Sequence, residues 1–237
     1  MDHVHDDATN ERLIEIPSLG FVRTLSVCAD DLSVVNSARV SFGKRKTTME
    51  EADEGLISFL LRERHGTPFE HNFFSFHIKA PIFVVREWFR HRIGWSYNEM
   101  SGRYTELPFS AYTPLPENVR SQVGKPGQYK FESLSQIVSE ESSYIIADSY
   151  ARAYSDYKDL LELGVAKELA RSVLPVGVHT EFYASTNARA LMHFLSLRGD
   201  ETAQWEIRQY ANALGETLAK AMPVTYDAFI ANGAIAP

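Results

Sequence analysis

F-F-S-F-H-I-K-A-P-I-F-V-V-R-E-W-F-R-H-R, Phe73 to Arg92, changes its period in the middle. Up to Lys79 the apolar residues alternate. Phe74, Phe76 and Ile78 share one face and Ser75, His77 and Lys79 the other, the two-residue period of a strand with one buried side. Pro81 suits the first turn of a helix, where its missing N–H has no partner to lose. From there Ile82, Val85, Trp88 and Phe89 recur at three- and four-residue steps, which predicts a helix over 82–91. Arg86 and Arg90 are four apart on it, with Glu87 between them. A strand that runs straight into a helix, among other segments of mostly helical period, predicts an α+β fold.

Upstream, Asp30 or Asp31 can cap a helix carrying Leu32, Val34, Val35 and Ala38. A second helix is expected from Thr48 to about Arg64, ended by His65-Gly66-Thr67-Pro68. Residues 1–18 read as a flexible extension and 19–237 as a single domain. Downstream, residues 105–130 hold Pro108, Pro114, Pro116, Gly124, Pro126 and Gly127, and read as a long loop. Ser133 and Gln136 form a capping box for a long helix to Leu163, with Ile137, Val138, Ile145, Tyr154, Tyr157, Leu160 and Leu161 as its buried stripe. A short helix over 165–173, a strand over 177–185, and helices near 187–197, 201–221 and 223–231 complete the pattern.

The 237 residues are enough for one sizeable core. No apolar run is long enough to cross a membrane as a helix. The polar start resembles neither a signal nor a transit peptide, and the single cysteine, Cys28, excludes an internal disulfide. These features place the chain in a reducing cytoplasm. Cys28 reads as a buried, inert thiol. The eight histidines match no zinc spacing. His71 and His77 are expected on one strand face, six residues apart, and no metal is expected.

The net charge of −7 argues against a general nucleic-acid coat, so an anion would need a local positive cluster. Phe89–Tyr104 supplies one, with three arginines, a histidine and a glutamate among aromatic residues. Guanidinium donors match phosphate oxygens in pairs, Ser101-Gly102-Arg103 adds a hydroxyl and an accessible backbone, and the rings can cover a flat ligand. The bland alternative is a surface helix with solvated arginines. A single-strand nucleic-acid module is a further alternative. Arg189 and Arg198 are nine apart, about two and a half helical turns, and so point to opposite sides of their helix. Asn187 is a candidate cap for it.

Arg90-His91-Arg92 followed by Ser96-x-Asn98-Glu99-x-Ser101-Gly102-Arg103-Tyr104 resembles the signature of the flavin-dependent thymidylate synthases. A-R-V-S-F at 38–42, H-G-T-P-F-E-H at 65–71, A-R-S-V-L-P at 170–175, N-A-R-A-L-M-H-F-L-S-L-R at 187–198 and Q-W-E-I at 204–207 agree in order and spacing. Two positions depart from the family pattern. Eight residues rather than seven separate Arg92 from Ser101, and His193 stands where close relatives carry Asn. An inactive relative with the same fold is the alternative these departures raise.

The resemblance implies a helix-rich α+β domain with a mainly antiparallel sheet. It implies reductive methylation of dUMP to dTMP, with 5,10-methylenetetrahydrofolate as carbon donor and FAD, reduced by NADPH, as hydride source. It implies a cytoplasmic homotetramer with shared active sites, acting on a small molecule rather than on nucleic acid or a membrane. Carried over residue by residue, Glu87, Arg90, Glu99, Met100, Ser101, Gly102 and Arg103 hold dUMP. Arg171 reaches it from a neighbouring subunit. Arg198 is the catalytic residue at the uracil edge. Ser41, Thr67, Arg90, His91, Arg92, Glu99, Asn187, Ala188, Arg189 and His193 are the FAD candidates, and His65 faces the folate.

Overall fold

Phe74, Phe76 and Ile78 are buried, as their alternation requires, on the central strand of a five-stranded sheet. The computed structural model describes residues 12–237. The sheet is built from β1 (Arg12–Ile16), β2 (Gly20–Cys28), β3 (Phe73–Pro81), β4 (Trp95–Glu99) and β7 (His179–Asn187). Its order is β1-β2-β3-β7-β4, with every neighbouring pair antiparallel. The helices are α1 (Asp31–Arg39), α2 (Glu51–Arg62), α3 (Ile82–Trp88), α4 (Gln136–Glu162), α5 (Lys167–Ala170), α6 (Ala188–Arg198), α7 (Trp205–Ala221) and α8 (Pro223–Ala231). The chain is the helix-rich α+β structure that its patterning predicts.

Pro81 precedes α3 with extended backbone, so strand and helix meet without a loop. α3 therefore lies against the sheet, and Trp88 becomes the centre of the core. Its ring meets Trp95, Phe182, Phe194 and Tyr210 at centroid separations of 4.8 to 6.3 Å. The Tyr210 hydroxyl donates to the carbonyls of Leu19 and Lys79, fixing α7 across the sheet. Asp31 accepts from the backbone N–H of Val224 and of Thr225, locking α1 to the first turn of α8.

Several sequence expectations are corrected. Arg12–Ile16 pairs with β2 and is not part of a flexible extension; residues 1–11 of that segment lie outside the described residues. Cys28 is exposed, because a register shift between Thr24 and Ser26 turns the end of β2 over. His71 sits in the turn before β3, so it shares no strand face with His77. α3 ends at Trp88 rather than at residue 91, and Trp95–Glu99 forms β4. The 105–130 loop contains β5 (Arg120–Val123), whose partner β6 (Lys130–Ser133) makes a hairpin. Ser133 closes that hairpin and makes no capping box. Ser135 is the cap position, and Gln136 bonds Glu140 instead. Along α4, Tyr157 is buried, but Ile137, Val138 and Ile145 are exposed. Ser139 and Ser143 face inward there, because Ser143 Oγ donates to the Pro114 carbonyl and draws the loop onto the helix.

Asp53 secures the segment that carries Ser41. Its side chain is fully buried and takes Arg39, Lys46 and the Glu50 N–H. Burial pushes its carboxyl up, and the bonds from Lys46, Arg39 and Glu50 outweigh that, so the net shift is downward. A depressed folded pKa contributes stability above the ordinary carboxylate range, and the contribution fades as pH falls through the folded value. Asp53→Ala is expected to cost roughly 2 kcal/mol at neutral pH, by removing the buried carboxylate that the partly exposed Arg39 and Lys46 share. The loss should shrink in melts taken to acid below the ordinary carboxylate range. A pH-independent loss would remove the ionised carboxylate as the cause.

Candidate functional site

α6 starts directly where β7 ends. Asn187 Oδ1 accepts from Ala190 N at 2.9 Å, capping the helix as its sequence position implies. The turn from α3 to β4 lies on this first turn of α6. Gly94 has φ +73°, and a Cβ there would stand 2.7 Å from that of Ala190, so a residue without a side chain is required. Thr186 Oγ1 donates to the Gly94 carbonyl at 2.9 Å.

Arg198 and Arg189 leave α6 on different sides, as their spacing predicts. Arg198 donates from Nε to His91 Nε2 at 3.0 Å, from Nη1 to Glu87 Oε2 at 3.0 Å and from Nη2 to the Glu87 carbonyl at 3.2 Å. Three of the five guanidinium donors are used, which leaves two for a ligand. Burial lowers the His91 pKa to about 4, helped by the charge of Arg198 and by His193. His91 is therefore neutral near pH 7 and can accept from Arg198. Glu87 is pushed up by burial, pulled down by Arg198 and pushed up again by Glu206, with a net rise. Tyr97 holds the far side of this turn through its hydroxyl, which donates to the His91 carbonyl at 2.8 Å.

Arg189 faces a cleft of about 420 Å³ lined by Glu70, Ile93, Gly94, Asn187, His193 and the C-terminal residues Ala236 and Pro237. Its Nη1 meets Glu70 at 2.6 Å and its Nε the Pro237 carbonyl at 3.1 Å. Gly66 admits that guanidinium, since a Cβ there would lie 2.3 Å from Arg189 Nε. Thr67 and His65 flank Gly66 and are exposed. Ala188 is buried, so any contact it makes is through its backbone. Arg90, Arg92 and Ser41 are exposed, and among the described residues neither arginine forms an ion pair. Glu70 had no assigned role in the sequence reading, although its segment was singled out.

A second cluster follows β4. Met100 N donates to the Glu181 carbonyl at 2.8 Å, and the Ser101 carbonyl accepts from Tyr104 and Thr105, which closes a tight turn. Arg103 N points to Ser101 Oγ at 3.3 Å, and Arg103 Nε meets Glu168 at 3.0 Å. Glu99 accepts from Thr180 Oγ1 at 2.8 Å. Gly102 is buried against Leu107 and Arg171; a Cβ on it would meet Arg171 Cδ at 3.2 Å. Arg171 therefore stands beside the Ser101–Arg103 turn of its own chain. A hydroxyl, backbone N–H groups and two guanidinium groups gathered at this turn have the chemistry an anion site needs. No hydrogen bond joins this cluster to the one around Arg198 among the described residues. Among the same residues, no three His, Cys, Asp or Glu side chains are grouped to hold a metal ion.

Residues 25–224 match the family of thymidylate synthase complementing proteins. The chain is 46% identical over 211 residues to the flavin-dependent thymidylate synthase of Thermosipho africanus, covering 89% of this chain and 91% of that one. It is 42% identical over 244 residues to that of Streptomyces coelicolor, covering 98% and 99%. Its fold is similar to the crystal structure of the UMP/dUMP methylase PolB from Streptomyces cacaoi bound with 5-Br UMP. The TM-score is 0.86 at 42% identity, over 94% of this chain and all of that one.

Proposed function

The chain belongs to the family of thymidylate synthase complementing proteins, and on that premise we propose that it is a flavin-dependent thymidylate synthase. It methylates dUMP to dTMP, taking the carbon from 5,10-methylenetetrahydrofolate and reducing equivalents from NADPH. The observation that carries the reading is Arg198: a guanidinium held on two sides by Glu87 and His91, with donors left over. Such a group can stabilise negative charge on a uracil ring as its N3 proton leaves.

FAD fits the donor set beside it. Arg189, Asn187, Ala188 and His193 line or adjoin the cleft, while Arg90, His91, Arg92, Ser41, Thr67 and Glu99 provide further polar groups. Bound FAD would supply the hydride, chemistry that no side chain offers. Ser101, Gly102, Arg103 and Arg171 grip the phosphate of dUMP, with Glu99 and Met100 fixing the turn and Glu87, Arg90 and Arg198 at the base. His65 faces the folate. Because the phosphate turn and the Arg198 cluster are separate within one chain, we assign each active site to two subunits of a homotetramer. The catalytic domain takes in the expected 19–237 and also the strand Arg12–Ile16, where its sheet begins. A cytoplasmic setting agrees with the lone exposed thiol. Among the described residues, no helix is long and apolar enough to cross a membrane.

The purified protein is expected to be yellow and to release tritium from C5-labelled dUMP in the presence of folate and NADPH. A protein that takes up no FAD would overturn the reading. Ser101→Ala is expected to weaken dUMP binding about tenfold in calorimetry, the loss of one hydrogen bond to a charged group. Unchanged affinity would remove Ser101 from the phosphate role.

A further inference from the structure

Arg92 to Ser101 holds one residue more than the family pattern, in the turn and strand that follow His91. Each added residue widens the set of shapes a turn can take, so a longer turn must be tied down to present one side chain in one place. Three bonds do this between α3 and β4. His91 N donates to the Trp88 carbonyl at 2.9 Å, and Trp95 N donates to the Arg92 carbonyl at 3.4 Å. The third comes from outside the turn. The Tyr97 hydroxyl reaches back from β4 and donates to the His91 carbonyl at 2.8 Å. The Trp88 carbonyl lies farther from that hydroxyl, at 3.5 Å, and already accepts from His91 N, so the single phenolic proton goes to His91. Burial raises the phenol above its ordinary range, and the proton stays on it.

The Tyr97 ring packs without help from its hydroxyl. Its centroid lies 4.6 Å from that of Phe89, 5.7 Å from Trp95 and 6.2 Å from Phe182. A phenylalanine would make the same three contacts. What the hydroxyl adds is the grip on the His91 carbonyl. The other end of His91 meets Arg198. Its ring, only 8% exposed, packs on Phe194 at 4.8 Å and accepts from Arg198 Nε at 3.0 Å. Arg198 also bonds the Glu87 carbonyl, just ahead of the same turn, at 3.2 Å. Tyr97 and Arg198 thus hold one residue by its two ends, carbonyl and ring.

We propose that Tyr97 is a positioning residue for Arg198: its hydroxyl fixes the backbone of His91, and so keeps the His91 ring where it accepts from Arg198 Nε and sets the direction of the guanidinium. Without the hydroxyl the turn opens, the ring drifts and Arg198 spends time in directions that do not serve a developing anion. The kinetic consequence rests on the function proposed above; the link from Tyr97 to Arg198 does not.

Tyr97→Phe tests the link. It keeps the ring contacts, so it is expected to fold and to melt only roughly 2–4 °C lower, as the loss of one hydrogen bond in a chain of this size requires. In ligand-free protein the Arg198 Nε–H is followed by nitrogen-15 NMR, assigned by its disappearance in Arg198→Lys. Its exchange with water is expected to quicken about fivefold or more in Tyr97→Phe. A hydroxyl that is merely structural would lower the melt and leave this exchange unmoved, and that result overturns the proposal. In turnover, kcat is expected to fall about tenfold while KM for dUMP changes less than about twofold, the mark of a contact that counts only in the transition state. A raised KM at constant kcat overturns it as well. The loss in kcat is expected to vanish in an Arg198→Lys background, since residues in one chain of contacts are not additive. An equal loss in both backgrounds refutes the route through Arg198. If wild type methylates no dUMP while the exchange still quickens, the proposed function fails and the Tyr97–Arg198 link stands.

Discussion

Arg198→Ala leaves a folded, FAD-binding protein with methylation reduced by at least two to three orders of magnitude, the scale seen when a preorganised charge is removed from a developing anion. The reason lies in how the side chain is held. Glu87 and His91 fix its direction, so the charge needs no reorganisation as the uracil ring becomes anionic. Neutral His91 lets Arg198 keep its full charge for Glu87 and the substrate. Folding should be little affected. The side chain is part-buried and Glu87 is one-quarter exposed, so solvent can reach the carboxylate once its partner is gone. Arg198→Lys should recover little, because one ammonium cannot bond Glu87 and His91 and also present two parallel donors. The assay is tritium release from C5-labelled dUMP, with the flavin spectrum and a thermal melt as controls. Turnover within tenfold of wild type would show that Arg198 does not meet the charge that develops.

The fold was legible where one period held over a whole element. Phe74–Ile78 and the apolar steps after Pro81 placed the central strand and the core tryptophan. β4 carried the same kind of signal, with Trp95 and Tyr97 on one face and Ser96 and Asn98 on the other. That signal was masked because the segment also reads as a ligand-binding turn. The buried stripe of α4 was misjudged for a different reason. Which face of a long helix turns inward depends on what crosses it, and the Pro114 segment brings small serines inward. Cys28 was misread because a β-bulge reverses side-chain parity and leaves no mark in composition. At the site, motif spacing gave the residues but not their neighbours. Glu70, Glu168 and Glu206 come from distant parts of the sequence, and only the folded chain shows that they restrain Arg189, Arg103 and Arg120.

Mixing two inactive variants is expected to restore activity. Arg103→Ala damages the phosphate turn and Arg198→Ala the base, two clusters that no hydrogen bond joins within a chain among the described residues. If a nucleotide bridges them only across a subunit boundary, a homomer of either variant has every site broken. A mixed assembly has some sites built from the intact half of each. With random pairing at equal amounts in a symmetric oligomer, roughly one quarter of the sites should hold both intact halves. Activity should rise from near zero to roughly that fraction of wild type after the variants are unfolded and refolded together, and not after each is refolded alone. The exposed Ile137, Tyr144 and Ile145 on α4 add apolar surface that association could cover. If co-refolding restores nothing, while tagged subunits prove that mixed oligomers form, both clusters must act within one chain. The arm from Gly102 to Arg120 would then have to bring them together on ligand binding, and the two-subunit site would be wrong.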